Sequence, residues 1–190
     1  MLRDLVLCNR SYRRFDEDVS IDAGTLRELV DLARLTPSAA NLQPLKYALS
    51  HTPDKNAQVF AQLAWAGYLE DWPGPAPGER PTAYIVILGD KEVSKGFGCD
   101  YGIAAQTMLL GAAEKGIGGC MFGSINRARL LEVLNLPPER YEVLLVVALG
   151  KPVETVVLDE VTEASGIKYW RDADGVHHVP KRALDDLIVG

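Results

Sequence analysis

Apolar positions along the chain follow two periodicities. From Asp22 to Leu35, Leu26, Leu29, Val30 and Ala33 recur at three- and four-residue steps, predicting an amphipathic helix capped by Asp22 or Thr25. Residues 1–8 read as a short helix, Pro53 to about Glu70 as a longer one with Val59, Leu63 and Ala66 inward, and Asn126–Leu134 as another. Continuous apolar runs predict strands at Leu45–Ser50, Ala83–Leu88, Ile117–Phe122 and Tyr141–Leu149, the last the strongest. A weak strand falls near Val153–Val157, the stretch to Val179 is unassigned, and Lys181–Val189 reads as a short helix or tail. Trp72–Gly78, with a proline at every second position, must be an irregular loop.

Gly102–Lys115 departs from both patterns. Ile103, Ala104, Ala105, Met108, Leu109, Leu110, Ala112 and Ala113 make it apolar nearly all round, so it must be buried on every side, by its own domain or by a second subunit. The mixed order of helices and strands points to a three-layer α+β or α/β domain, with strand direction open.

The 190 residues, 47% apolar and 24% charged, suit one globular domain. A net charge of −6 argues against a nucleic-acid partner, and no apolar run has the length of a membrane span. Cys8, Cys99 and Cys120 are too scattered for a disulfide framework, and Met1–Leu5 does not resemble an export signal; both point to the cytoplasm.

Against that acidic background Arg10-Ser11-Tyr12-Arg13-Arg14 stands out. Guanidinium forks, a hydroxyl and backbone N–H groups suit a phosphate monoester, although Asp16, Glu17 and Asp18 would equally balance a solvated basic stretch. Lys181-Arg182 is a second basic pair, useful only if the fold brings it to the first. Pro37–Pro44 offers Ser38, Asn41, Gln43 and the N–H groups of Ala39 and Ala40, which suit a ring of alternating donors and acceptors or, equally, an ordinary capped turn. Gly116-Ile117-Gly118-Gly119 follows a helix, so it is a helix end and not a dinucleotide fingerprint. Metal-ligand spacing is absent, since the adjacent His177 and His178 point apart in a strand.

Taken in order, several segments resemble the nitroreductase family of flavoproteins: Arg10-Ser11-Tyr12-Arg13, Pro37–Pro44, Asp100–Gln106 with Glu114–Gly118, and Lys181-Arg182 with Leu184 and Leu187. The resemblance implies an α+β three-layer sandwich with a mainly antiparallel central sheet, one FMN-binding domain over residues 1–190, and a homodimer with non-covalent FMN at the subunit interface. It assigns Arg10, Ser11 and Arg13, within a segment that includes Tyr12, to the phosphate and ribityl end, helped by Lys181 or Arg182. Pro37, Ser38, Ala39, Asn41 and Gln43 would reach a flavin held mainly by the other subunit. Met121, Phe122, Gly123 and Ser124 would lie along the isoalloxazine, with the Gly123 N–H a donor to flavin N5. No side chain is implied as catalytic, because the flavin carries the redox chemistry.

The implied activity is ping-pong reduction of nitro-aromatic, quinone or related conjugated acceptors by NAD(P)H. The alternatives are other flavin chemistry on the same fold (dehalogenation, enone reduction, flavin breakdown) and a flavin carrier or sensor. Residues 60–80, with Trp65, Tyr68 and Trp72, match nothing in the family pattern and are expected to shape the pocket. Asn9 stands where many relatives carry arginine. Lys46, Arg80 and Lys168 are each able to meet a nicotinamide 2′-phosphate.

Overall fold

The computed structural model describes residues 1–163 and 166–190. In chain order the elements are α1 (Leu2–Cys8), β1 (Phe15–Asp16), α2 (Ala23–Arg34), β2 (Leu45–Ser50), α3 (Pro53–Phe60), β3 (Ala83–Asp90), α4 (Asp100–Glu114), β4 (Gly118–Phe122), α5 (Arg127–Leu134), β5 (Tyr141–Pro152), β6 (Val156–Glu160), β7 (Trp170–Arg171) and β8 (His177–Lys181).

The two strongest apolar runs, β3 and β5, pair with each other at the centre of the sheet. β2 joins the far side of β3, while β4 and the short β1 join the far side of β5, and every pairing is antiparallel. All eight residues of β3 are buried, because each face of the sheet carries its own helical layer. On one face Ile85, Ile87, Val147 and Leu149 meet Leu26, Leu29 and Ala33 of α2 and Ala104, Ala105, Met108, Leu109 and Ala112 of α4. On the other, Tyr84, Val86, Val146 and Ala148 meet Val59 of α3 and Leu130 and Leu131 of α5. The fold is therefore an α+β three-layer sandwich, as the resemblance implies.

A bulge sets which residues face which layer. Ile87 pairs with Leu145 but Leu88 pairs with Val143, leaving Leu144 as the extra residue. Val143 then shares a face with Val146 and Ala148, whereas Leu145 turns to the α4 side.

Close approach of α4, β4 and β5 depends on glycines. A Cβ on Gly119 would lie 2.5 Å from Leu109 Cδ2 and 2.6 Å from the Ala148 carbonyl oxygen; one on Gly118 would meet Pro152 and the Tyr12 ring. Gly116, at φ +70, takes the left-handed conformation that ends α4.

Three expectations need correction. The helix from Pro53 stops at Phe60, since the chain leaves it to pair with the segment after β4: Ala64 N–H donates to the Ser124 carbonyl and Asn126 N–H to that of Gln62. Of the two readings of Lys181–Val189 the tail holds and the helix does not: Lys181 is the last residue of β8, and beyond it only residues 184–187 bend into a turn. The weak strand begins at Val156, because Val153 N–H is taken by the Arg14 carbonyl and Glu154 turns inward. β6, β7 and β8 form a separate small sheet, with β6 parallel and β7 antiparallel to β8. Helix α4 is covered on its sheet and α2 sides, while Ile103 and Gln106 remain exposed within the chain. Among the described residues no helix is long and apolar enough to cross a membrane.

Candidate functional site

The Arg10–Arg14 segment is laid along β4. Ser11 forms a parallel bridge with Gly119, and Tyr12 N–H donates to the Gly119 carbonyl at 3.0 Å. Its other side is held by Glu154, whose side chain is fully buried. One carboxylate oxygen accepts the backbone N–H groups of Arg13 and Arg14, and the other accepts Arg171 Nη2 at 2.9 Å. A single buried acid thus ties the basic segment to the small C-terminal sheet.

The arginines take different directions. Arg14 is committed to Glu79, with Nε 2.9 Å from Oε2 and a second contact from Nη2 to Oε1. Arg10 and Arg13 line a cavity of about 360 Å³ together with Ser11, Gln106, Met121, Tyr169, His177 and Lys181. Arg10 Nη2 donates to the Val6 carbonyl, while its buried Nε has no partner among the described residues. Arg13 lies 4.7 Å over the Tyr169 ring and brings Nη1 to 3.0 Å from His177 Nε2. Burial, reinforced by the positive charges of Arg13 and Arg171, pushes His177 down to about 4, so its ring is neutral near pH 7.

Alternation along β8 explains how its residues divide. His177, Val179 and Lys181 face the cavity. His178 points away, between Asp159 at 2.9 Å and Asp172 at 3.2 Å, with its ring stacked on Trp170. The hydrogen bond that His178 makes to Asp172, assisted by Asp159, raises the His178 pKa.

The Pro37–Gln43 loop sits elsewhere in the chain. Ser38 Oγ donates to Asp100 Oδ2 at 2.6 Å, Ala39 N–H reaches Oδ1 at 3.2 Å, and Gln43 N–H donates to Ser38 Oγ at 2.9 Å. Asp100 is buried in the first turn of α4 and pins a loop in which Ala40, Asn41 and Gln43 all have positive φ. Pro37, Ser38 and Gln43 line a different cavity of about 210 Å³ with Lys46, Tyr47 and Asp100. The two cavities share no lining residue.

Of the remaining sequence-predicted residues, Tyr12 packs against Gly118 and donates its hydroxyl to the Cys8 carbonyl. Phe122 turns to the opposite face of β4 from Met121 and meets Trp65 edge-on. Gly123 and Ser124 lie exposed just past the strand, the Gly123 carbonyl accepting Arg127 Nη2 at 3.0 Å. Arg182 is exposed beyond β8 and does not line the cavity. Trp65 meets Trp72 edge-on with ring centroids 6.1 Å apart, and Tyr68 lies tilted against Tyr169 at 4.8 Å, so of residues 60–80 Tyr68 backs a residue of the cavity wall. Sequence reasoning missed Gln106, Glu154, Tyr169 and His177. For His177 a signal existed, since period-two alternation from Lys181 places it on the same face. Among the described residues no cluster of three or more His, Cys, Asp or Glu side chains is placed to hold a metal ion.

Comparison with known proteins bears on this arrangement. The chain is 22% identical over 204 residues to YodC of Bacillus subtilis, named as an NAD(P)H nitroreductase, covering 88% of this chain and 97% of that one. It is likewise 22% identical to the CLA biosynthesis enone reductase of Lactiplantibacillus plantarum, over 85% of this chain and 92% of the relative. Among solved structures, a protein from Desulfovibrio desulfuricans described as a nitroreductase in complex with FMN superposes with a TM-score of 0.72 at 22% identity, over 100% of this chain and 95% of that one. A nitroreductase family protein from Streptococcus pneumoniae covers 100% of both chains with a TM-score of 0.69 at 18% identity. The model of the nitroreductase family matches residues 9–151, which takes in the Arg10 segment, the Ser38 loop and the main sheet short of the last residue of β5, and the chain belongs to that family.

Proposed function

We propose that this chain is an FMN-dependent oxidoreductase that takes electrons from NAD(P)H and passes them to nitro-aromatic, quinone or related conjugated acceptors by turns in one pocket. The carrying observation is the cavity that gathers Arg10, Ser11 and Arg13 from one end of the chain and Lys181 from the other, with Met121 on its wall. Two buried nitrogens of residues that line that cavity, Arg10 Nε and His177 Nδ1, have no hydrogen-bond partner among the described residues. Cationic forks with unmet buried donors are the chemistry of an anion site, and a phosphate monoester satisfies them.

Bound FMN supplies hydride and electron chemistry that no side chain here provides. Arg10, Arg13 and Lys181 hold its phosphate, with Ser11 at the ribityl end. Met121 borders the ring region, and the Gly123 N–H stands beyond the end of β4 as the donor toward N5. The Ser38–Gln43 loop serves the cavity of a second copy, which accounts for its distance from the cavity of its own chain. The exposed Ile103 of α4, with Leu2, Val6 and Leu7 of α1, supports burial of this face in a homodimer. The cytoplasm is the compartment consistent with three free cysteines. An enone is a second acceptor class, favoured by the similarity to the Lactiplantibacillus plantarum enone reductase.

The test is to purify the protein, denature it and identify any released chromophore by chromatography. Release of FMN supports the reading. A colourless protein that also fails to take up added FMN overturns it.

A further inference from the structure

His177 has an unusual set of neighbours. It is fully buried, and it is one of the residues that surround the Arg10–Lys181 cavity. Arg13, Arg171 and, next to it in the strand, His178 each disfavour a positive charge on it. A guanidinium has donors only, so the 3.0 Å contact between Arg13 Nη1 and Nε2 requires Nε2 to be the acceptor. The proton of the neutral ring is then on Nδ1. That Nδ1 is buried and has no partner among the described residues, and the same holds for Nε of Arg10, another residue of the same cavity. Tyr169, 5.3 Å from the His177 ring and under the Arg13 guanidinium, keeps both groups from turning away.

We propose that His177 is a phosphate ligand of this cavity, accepting from Arg13 at Nε2 and donating Nδ1–H to an oxygen of the bound phosphate monoester. The assignment rests on the FMN reading above and extends it to a residue outside the motifs that carry the family resemblance. Such a histidine adds a donor without adding a fourth positive charge to Arg10, Arg13 and Lys181. It also helps to fix Arg13, whose Nη1 is shared between His177 Nε2 and the Ser11 carbonyl at 3.2 Å. Phosphate, imidazole and guanidinium then form one hydrogen-bonded chain in which each link polarises the next.

Two variants separate its two bonds. Glutamine places a carbonyl near the Nε2 position but no donor at Nδ1; asparagine places a donor near Nδ1 but no acceptor for Arg13. Dissociation constants of FMN and of riboflavin, which lacks the phosphate, are read by flavin fluorescence on stripped protein. We expect His177→Gln to weaken FMN about tenfold or more, the value of one charge-assisted hydrogen bond, and His177→Asn to weaken it less. Riboflavin should change by less than about twofold in both. Equal weakening of the two flavins means that His177 only packs, and overturns the assignment while leaving the FMN reading intact. The unaltered chain gives a second readout: long-range ¹H–¹⁵N spectra should show His177 as the neutral Nδ1–H tautomer, its Nδ1–H shifting on addition of FMN or inorganic phosphate. An Nε2–H tautomer overturns the assignment. A chain that binds no flavin yet shows the phosphate-induced shift keeps the His177 site and overturns the flavin reading.

Discussion

Replacing Glu154 with alanine removes the acceptor of three hydrogen bonds at once. The side chain is fully buried and Arg171 is 16% exposed, so the guanidinium left behind has little water to replace its partner. The N–H groups of Arg13 and Arg14 lose their acceptor as well. Breaking a buried ion pair from one side costs about 3–5 kcal/mol. The two backbone donors would add about 1–3 kcal/mol each if fully orphaned. Arg14 remains anchored by Glu79, however, and the segment can relax toward solvent, so the total stays near about 3–5 kcal/mol. For a chain of this length each kcal/mol moves the melting temperature by about 2–4 °C, giving a loss of about 6–20 °C. The assay is denaturant and thermal unfolding monitored by tryptophan fluorescence, at fixed protomer concentration because association in the proposed dimer would add to apparent stability. A double-mutant cycle with Arg171→Leu isolates the pair. A single-variant loss below about 1 kcal/mol would refute the view that Glu154 joins the basic segment to the C-terminal sheet.

The same geometry sets the outcome of three other perturbations. His178 is raised by its bond to Asp172 and by Asp159, so its stabilising contribution is complete below the unfolded value near 6.5 and is lost as pH rises through the higher folded value. His178→Gln should therefore flatten the fall in stability on the alkaline side of pH 6.5, measured by urea unfolding from pH 5 to 9; an unchanged profile contradicts the cluster. Gly119→Ala puts a Cβ 2.6 Å from the Ala148 carbonyl oxygen, a backbone atom held in the sheet, and should cost about 1–3 kcal/mol by chemical denaturation; full stability would mean that β4 can shift against β5. Asp100→Ala frees Ser38 and Ala39 from their acceptor, and hydrogen exchange should show residues 38–43 opening while β3 and β5 stay protected. Unaltered exchange in the loop would show that its left-handed residues hold it without Asp100.

Much of the main sheet was legible because its signals are local. Leu26, Leu29 and Ala33 repeat at helical spacing and face the sheet, and the unbroken apolar run of β3 reflects burial on both faces. The run in β5 hid its bulge, since Leu144 and Leu145 read alike as apolar although the extra residue reverses the facing of the strand beyond it. The helix from Pro53 was overextended because Leu63 and Ala66 keep helical spacing while backbone bonds to Gln62 and Ser124, formed across the fold, end it earlier. The small sheet left almost no trace. Its strands Trp170–Arg171 and His177–Lys181 are short and polar, and the contacts that hold them are non-local: Glu154 to Arg171, Asp159 to His178, and Tyr68 against Tyr169. The basic segment was legible as phosphate chemistry, but its commitment was not: nothing in the sequence distinguishes Arg14, paired with Glu79, from Arg13, which turns to His177. Nor does it reveal that the Ser38 loop and the Arg10 segment line separate cavities.

The most direct test of the central claim is anaerobic titration of the purified, FMN-loaded protein with NADPH and with NADH, monitored at the visible flavin band, and then addition of a quinone or nitro-aromatic. The account predicts that at least one nicotinamide bleaches the band and that the acceptor restores it in oxygen-free buffer. A band that neither nicotinamide bleaches would contradict it, leaving a protein that holds flavin without passing electrons.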